Sequence, residues 1–258
     1  MRALALAAAL AIQTAPHSGA VTVRGQPLAV RFYGSPTGQP VVLTSGDGGW
    51  IHLAPHVAAL LAERGYFVVG IDSREYLAAF TSGRQVVNPA DEPGDFRAFI
   101  ALAARNTGEK PLLVGISEGA GLSVLAAADP AIRAAIGGVV VLGLPDLNEL
   151  GWHWRDAIIY VTKGIPNEPT FSAAGVIDRV APVPLAALHS SGDEFVPVSD
   201  IRRMMDRARE PKKLWVISAS NHRFSGNEPG FDRTLNEALE WIRSLGGSRD
   251  TRVVAALR

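Results

Sequence analysis

The sequence predicts an α/β protein whose mostly parallel sheet is covered by helices on both faces. Short apolar, β-branched runs alternate with longer segments in which apolar residues recur at three- and four-residue spacing. Runs such as Val139-Val140-Val141-Leu142 are continuous rather than alternating, as befits strands buried on both sides. The 258 residues, 47% hydrophobic and 19% charged, suit one sizeable α/β domain and exclude wholesale disorder.

In chain order the expected strands are Leu28–Phe32, Val41–Thr44, Phe67–Ile71, Leu112–Gly115, Gly138–Leu142, Leu185–His189 and Leu214–Ser218. Helical spacing covers Leu53–Arg64, stopped by Gly65, then Asp95–Arg105, Glu118–Ala128, Ser199–Arg209 and Phe231–Leu245. The stretch Asn148–Ala174 breaks this rhythm with Trp152, His153, Trp154 and several Pro and Gly residues, and reads as an insertion over one end of the sheet. The domain is expected over residues 21–247, with residues 248–258 as a C-terminal tail.

Residues 1–20 carry Arg2 and then an apolar run, Ala3 to Ile12. At about ten residues this run is too short to span a bilayer but suits an export signal. Ser18 and Ala20 supply small residues for cleavage after Ala20, which would make the mature protein periplasmic and soluble. The competing reading is a frayed N-terminal helix on a cytoplasmic enzyme.

Lys+Arg and Asp+Glu both number 25, so no global basic field exists to condense on nucleic acid. The absence of cysteine excludes a disulfide scaffold, a thiolate zinc site, an iron–sulfur cluster and a cysteine nucleophile. No histidine pair forms an HExxH or HxH motif, so neither a metal nor another cofactor is expected.

Gly115-Ile116-Ser117-Glu118-Gly119 is a G-x-S-x-G turn between a strand and a helix. Such a turn strains the serine backbone, needs glycines where side chains would collide, and aims a helix N-terminus at charge forming near Ser117. A Gly-rich phosphate turn is the alternative, but the spacing matches neither G-x-G-x-x-G nor a P-loop. A serine nucleophile needs a base held by a carboxylate. Asp193 and Glu194 follow the Leu185–His189 strand, and His222 follows Leu214–Ser218. Asp193, after Gly192 and with the shorter reach, is preferred as the acid; Asp146 is the fallback. Among the other histidines, His17 falls in the expected signal, His56 in a helix, and His189 reads as satisfied at a strand end. His52 and His153 could line a pocket.

Ser45-Gly46-Asp47-Gly48-Gly49-Trp50 follows an early strand, and its bare backbone can approach a substrate. An N–H at Asp47 or Gly48 would pair with that of Glu118 as an oxyanion hole. The alternative is an ordinary turn with a helix start. The Asp47 side chain would repel an oxyanion, so it turns away or meets a cation on the substrate. Trp50, Glu194 and Trp152 are substrate-binding candidates, with a core role as the default for Trp50.

These four segments, Ser45–Trp50, Gly115–Gly119, Ser191–Glu194 and Asn221–Phe224, resemble the α/β-hydrolase superfamily, and within it the VirJ/AcvB-type bacterial virulence proteins. The resemblance implies an α/β-hydrolase fold, here with a short insertion after the sixth strand. It implies Ser117, Asp193 and His222 as a triad, a periplasmic location, and hydrolysis of the aminoacyl ester of lysyl-phosphatidylglycerol. A lysyl cation could be received by Asp47, Glu118 or Glu194, unless these are merely solvated rim residues. Two alternatives stay open: a carboxylesterase or dienelactone-hydrolase-like enzyme on small soluble esters, and a non-catalytic interaction module with envelope protein partners. The expected partner is a small-molecule or lipid ester, in the second case met at the membrane surface.

Overall fold

The computed structural model describes residues 16–81, 87–152 and 169–256, with side chains to residue 246. Its strands are β1 (His17–Val23), β2 (Gln26–Tyr33), β3 (Gln39–Thr44), β4 (Tyr66–Ile71), β5 (Leu112–Ile116) and β6 (Gly138–Leu142). They continue with β7 (Leu147–Glu149), β8 (Thr170–Ser172), β9 (Leu185–Ser190) and β10 (Lys212–Ile217). The helices are α1 (Leu53–Glu63), α2 (Ser73–Phe80), α3 (Glu92–Ala104), α4 (Glu118–Ala127), α5 (Pro130–Ala135), α6 (Val198–Arg207) and α7 (Glu228–Ala256).

Eight strands form one sheet in the order β1-β2-β4-β3-β5-β6-β9-β10, while β7 and β8 pair separately. Pairing is antiparallel for β1–β2 and β2–β4 and parallel from β4 onward. Residue alternation sends each central strand into two cores: Val42, Leu113, Val139 and Val141 pack with α2 to α6. Val41, Leu43, Val140 and Leu142 pack with α1 and α7 on the opposite face. The expected fold is therefore present, with the insertion after β6.

β3 and β5 are neighbours, but the chain leaves them for opposite faces, through α1 and α4 respectively. Loops after such strands part at the carboxyl edge of the sheet and open a crevice there. The loops after β6, β9 and β10 reach the same edge.

Three expectations shift. The sheet begins at His17, so a boundary after Ala20 falls inside β1, where Ala20 pairs with Ala29. The rest of the expected signal lies outside the described residues. The tail expected from residue 248 is helical backbone through Ala256, a continuation of α7. Within the insertion, β7 and β8 pair antiparallel; His153 and Trp154 lie outside the described residues. No helix among the described residues is long and apolar enough to cross a membrane.

Candidate active site

Ser117 sits between β5 and α4 with φ 51° and ψ −118°, a backbone conformation costly for a side-chain-bearing residue. The glycines around it have steric reasons. A Cβ on Gly115 would strike the Gly119 carbonyl, and one on Gly119 would strike that of Ser45. The turn thus lets α4 lie directly against the sheet, with the Ser117 amide donating to the Leu142 carbonyl at 2.8 Å. Glu118, first residue of α4, has an amide without an intrahelical acceptor, and it points this end of the helix toward the serine.

The loop after β3 lies alongside. Its turn closes through Gly49 N–H to Gly46 O at 3.0 Å, leaving the Asp47 amide without a backbone acceptor among the described residues. A Cβ on Gly46 would stand 3.3 Å from that of Ser117. The loop is braced from behind: the Trp50 amide donates to Asp72 Oδ2 at 2.8 Å, and the Ser73 amide to Ser45 Oγ at 3.0 Å.

At the other side of the crevice, His222 Nδ1–H donates to Asp193 Oδ2 at 2.6 Å. The other carboxylate oxygen accepts from the amides of Phe195 (3.0 Å) and Val196 (2.9 Å). Burial opposes ionisation of Asp193, but the His222 hydrogen bond and these amides outweigh it and hold the carboxyl below its usual range. A carboxylate on Nδ1 fixes that proton and leaves Nε2 as the acceptor. Glu194 takes a different part: its Oε2 accepts the His222 backbone amide at 2.7 Å, so it orients the histidine loop and does not line the cavity.

Ser117 and His222 face one cavity of about 500 Å³, walled by Gly46, Asp47, Gly48, Glu118 and Glu149 among others. No hydrogen bond joins Ser117 Oγ to His222 Nε2 among the described residues. Such contacts often tighten only around a bound substrate. Glu118 is only 7% exposed. Burial first, then the carboxylates of Glu149 and Asp47, push its carboxyl well above the ordinary glutamate range, although Oε1 accepts the Glu149 amide at 2.7 Å.

Several expected roles change. Trp50 leaves the cavity to Gly49 and Ile51; its indole N–H donates to the Tyr33 hydroxyl at 3.2 Å and its ring lies against Gly70. Trp152 packs partly buried on the core, with the Arg74 guanidinium 5.1 Å from its ring centroid, and is absent from the cavity wall. Asp146 is committed to Ser172 Oγ and the Ala174 amide, holding the β8 turn. His189 is buried behind Asp193 with only Nε2 satisfied, by the Val196 carbonyl; Nδ1 is left without a partner. Burial lowers its pKa, so it is neutral beside the acid. His52 does reach the cavity, whereas His56 joins α1 to Asp232 of α7 at 2.7 Å.

Sequence reasoning missed Gly143, Glu149, Leu147, Ile51 and Phe195. Gly143, at φ 62°, is the most telling: a Cβ there would lie 2.6 Å from His222 Cε1. A glycine just after a strand, before a loop expected at the site, was the available signal.

The sequence model of a family described as bacterial virulence protein (VirJ) matches residues 39–153. The matched segment carries the Gly-rich loop and the serine turn and ends before Asp193 and His222. The uncharacterized protein YqkD of Bacillus subtilis (strain 168) is 31% identical over 71 residues, 27% of this chain and 23% of that protein. The chain thus aligns with under a quarter of that relative's length. The esterase domain of a Rhodothermus marinus protein superposes with TM-score 0.58 at 17% identity, covering 84% of this chain and 93% of the other. An esterase from Pyrococcus furiosus gives 0.62 at 16% identity, covering 88% and 90%. A membrane phospholipase A, described as a bacterial virulence factor, gives 0.62 at 14% identity, covering 88% and 87%. At these identities the likeness is one of fold. The chain has the α/β-hydrolase fold, and its residues 39–153, with the Gly-rich loop and the serine turn, are similar to the VirJ family.

Proposed function

We propose that the protein is a serine hydrolase of carboxylic esters acting through an acyl-enzyme. The observation that carries this reading is the pairing of His222 Nδ1 with Asp193 at 2.6 Å, across the same cavity from a serine held at φ 51°. His222 Nε2 takes the Ser117 hydroxyl proton as Oγ bonds to the ester carbonyl carbon. The amide of Glu118, with one from Asp47 or Gly48, receives the oxyanion. Collapse breaks the bond to the alcohol, which leaves with the proton from Nε2. A water, deprotonated by the same nitrogen, then frees the acid and restores Ser117. The esterases and the phospholipase of similar fold support this choice of bond.

A fluorophosphonate should label the purified protein on Ser117 alone, and Ser117→Ala should lower kcat/KM on a p-nitrophenyl ester by about a thousandfold or more. Unchanged turnover in that variant would remove the serine from the mechanism, and a wild-type protein with neither labelling nor turnover would favour a non-catalytic envelope module.

For the substrate, the cavity wall favours an acyl group bearing a cation. Asp47, Glu118 and Glu149 wall the cavity that such a group would enter, and an ammonium beside Glu118 would favour its ionised form, its proton passing to solvent. This supports the aminoacyl ester of lysyl-phosphatidylglycerol over short neutral esters. Equal kcat/KM on the two substrates would discard it in favour of the general esterase. A periplasmic location belongs to the same reading, with cleavage ahead of His17 if β1 is to keep its full length. N-terminal sequencing of the protein from a periplasmic fraction tests it.

A further inference from the structure

β9 ends in His189 and Ser190 after an apolar run, and the proton transfers of the proposed mechanism do not use His189. By alternation it shares the sheet face of Leu185 and Ala187, and its side chain is fully buried. The ring lies against the loop that carries Asp193. A carbonyl only accepts, so the 2.8 Å contact with the Val196 carbonyl fixes the proton on Nε2. Val196 is thereby held at both ends: its carbonyl by His189, and its amide by Asp193 Oδ1 at 2.9 Å. His189 Nε2 also stands 3.8 Å from Asp193 Oδ2, the oxygen that accepts from His222 at 2.6 Å. One carboxylate thus sits between two imidazoles, one facing the cavity and one in the core. The arrangement leaves Nδ1 buried with no partner, a loss that an apolar side chain would not incur.

We propose that His189 is a positioning residue, whose Nε2–H holds the Asp193 loop in the shape that presents Oδ2 to His222. The inference deepens the ester-hydrolase reading and rests on it for the meaning of the Asp193–His222 pair. With Val196 anchored, its amide and that of Phe195 stay on Oδ1, and Oδ2 is left to the imidazole. An aligned carboxylate stabilises the imidazolium that forms as Ser117 gives up its proton. The anchor also has to be uncharged, because a cation 3.8 Å from Oδ2 would compete with that imidazolium. The surroundings of His189 meet this need. Its titratable neighbours are Asp193 of its own loop and His222 of the loop after β10. Burial outweighs the Val196 carbonyl and the Asp193 carboxylate, both of which favour the cation, so the ring stays neutral. The elements around it add no charge there: β6 is apolar, α6 turns Ile201, Met204 and Met205 inward, and Val216 is the neighbour in β10.

The test compares His189→Leu, which removes the donor, with His189→Gln, whose amide brings a donor to the same place. His189→Leu should lower kcat on a p-nitrophenyl ester by about tenfold or more, with KM within about twofold. The acid limb of kcat/KM reports the His222 imidazolium, which a misaligned Asp193 stabilises less. Its midpoint should therefore fall by about half a pH unit or more. His189→Gln should restore most of the rate and return the midpoint. If His189→Leu does not keep the wild-type melting temperature, His189→Asn carries the test; its shorter amide falls short of Val196 and should show the same losses. Proton NMR of the resting protein reads the bond from His222 Nδ1–H to Asp193 without substrate. Its low-field resonance should be present in wild type and His189→Gln and lost in His189→Leu. Wild-type kcat and midpoint in His189→Leu would overturn the proposal, as would an equal deficit in His189→Gln. So would a fall in kcat with the midpoint and the resonance unchanged, which would make His189 structural alone. A resonance that follows the donor, in a wild-type protein with neither turnover nor fluorophosphonate labelling, would instead remove the hydrolase reading and keep the positioning role.

Discussion

Gly143 is the only kind of residue that allows the imidazole to stand where it does. Its φ of 62° and the 2.6 Å approach of a Cβ to His222 Cε1 both forbid a side chain. Gly143→Ala is expected to push the ring off its place and lower kcat/KM by about a hundredfold, while Asp193 keeps its hydrogen bond to the amides. Steady-state kinetics beside a melting curve check this; an active, stable variant would contradict the packing described. Glu118 gives a second expectation, in pH. Its carboxyl is raised in the folded chain, so the folded state binds more protons than the unfolded one between the ordinary glutamate range and the raised value. Across that window stability falls as pH rises, by up to about 1.4 kcal/mol per pH unit where the group titrates. Glu118→Gln keeps the acceptor for the Glu149 amide and removes the titration, so its stability relative to wild type should increase with pH. Urea unfolding of both proteins at several pH values measures the difference, and parallel curves would refute the assignment. The candidate site's placement was legible where residue type and order carry it: Ser117, Asp193 and His222 each follow a strand, and their loops meet at one edge of the sheet. The reach argument set Asp193 rather than Glu194 beside the histidine, but the part of Glu194 was not legible, because its partner is the backbone amide of His222 and not the ring.

At the scale of elements, strands buried on both faces announced themselves. β6 is found at the expected residues, and the other five parallel strands match within about two residues of theirs. β1 did not, because as an exposed edge strand it presents mostly solvent-facing residues in HSGAVTV. What makes it a strand is the two-residue turn at Arg24 and Gly25, with φ 47° and 79°, which sets it antiparallel on β2. Helix α2 was also missed. It is short, and its start depends on Asp72, whose Oδ1 caps the Glu75 amide at 3.1 Å while Oδ2 takes the Trp50 amide. One side chain therefore joins a helix start to the Gly-rich loop beside Ser117. Asp72→Ala is expected to cost about 2–3 kcal/mol and to lower kcat more than a merely capping role would. Chemical denaturation and turnover on the same sample check it; loss of stability alone would confine Asp72 to the helix.

Across the whole molecule, the site is made by connectivity more than by any one loop. β3 and β5 lie side by side while their helices go to opposite faces, and everything reactive gathers at the resulting gap. The order of elements told where the gap would be; the exposed Ile51, Leu147 and Phe195 at the cavity and the Trp152 packing depend on tertiary neighbours that periodicity does not encode. The Asp193 and His222 loops are laced to each other three ways: by the imidazole, by Glu194 to the backbone, and by Gly192, where a Cβ would come within 2.5 Å of the Ala219 carbonyl. Insertions or deletions in either loop would break the Asp193–His222 pair. Variation at the cavity mouth therefore has to proceed elsewhere, through β7 and the Gly48–His52 arc, whose residues line the opening from the other loops.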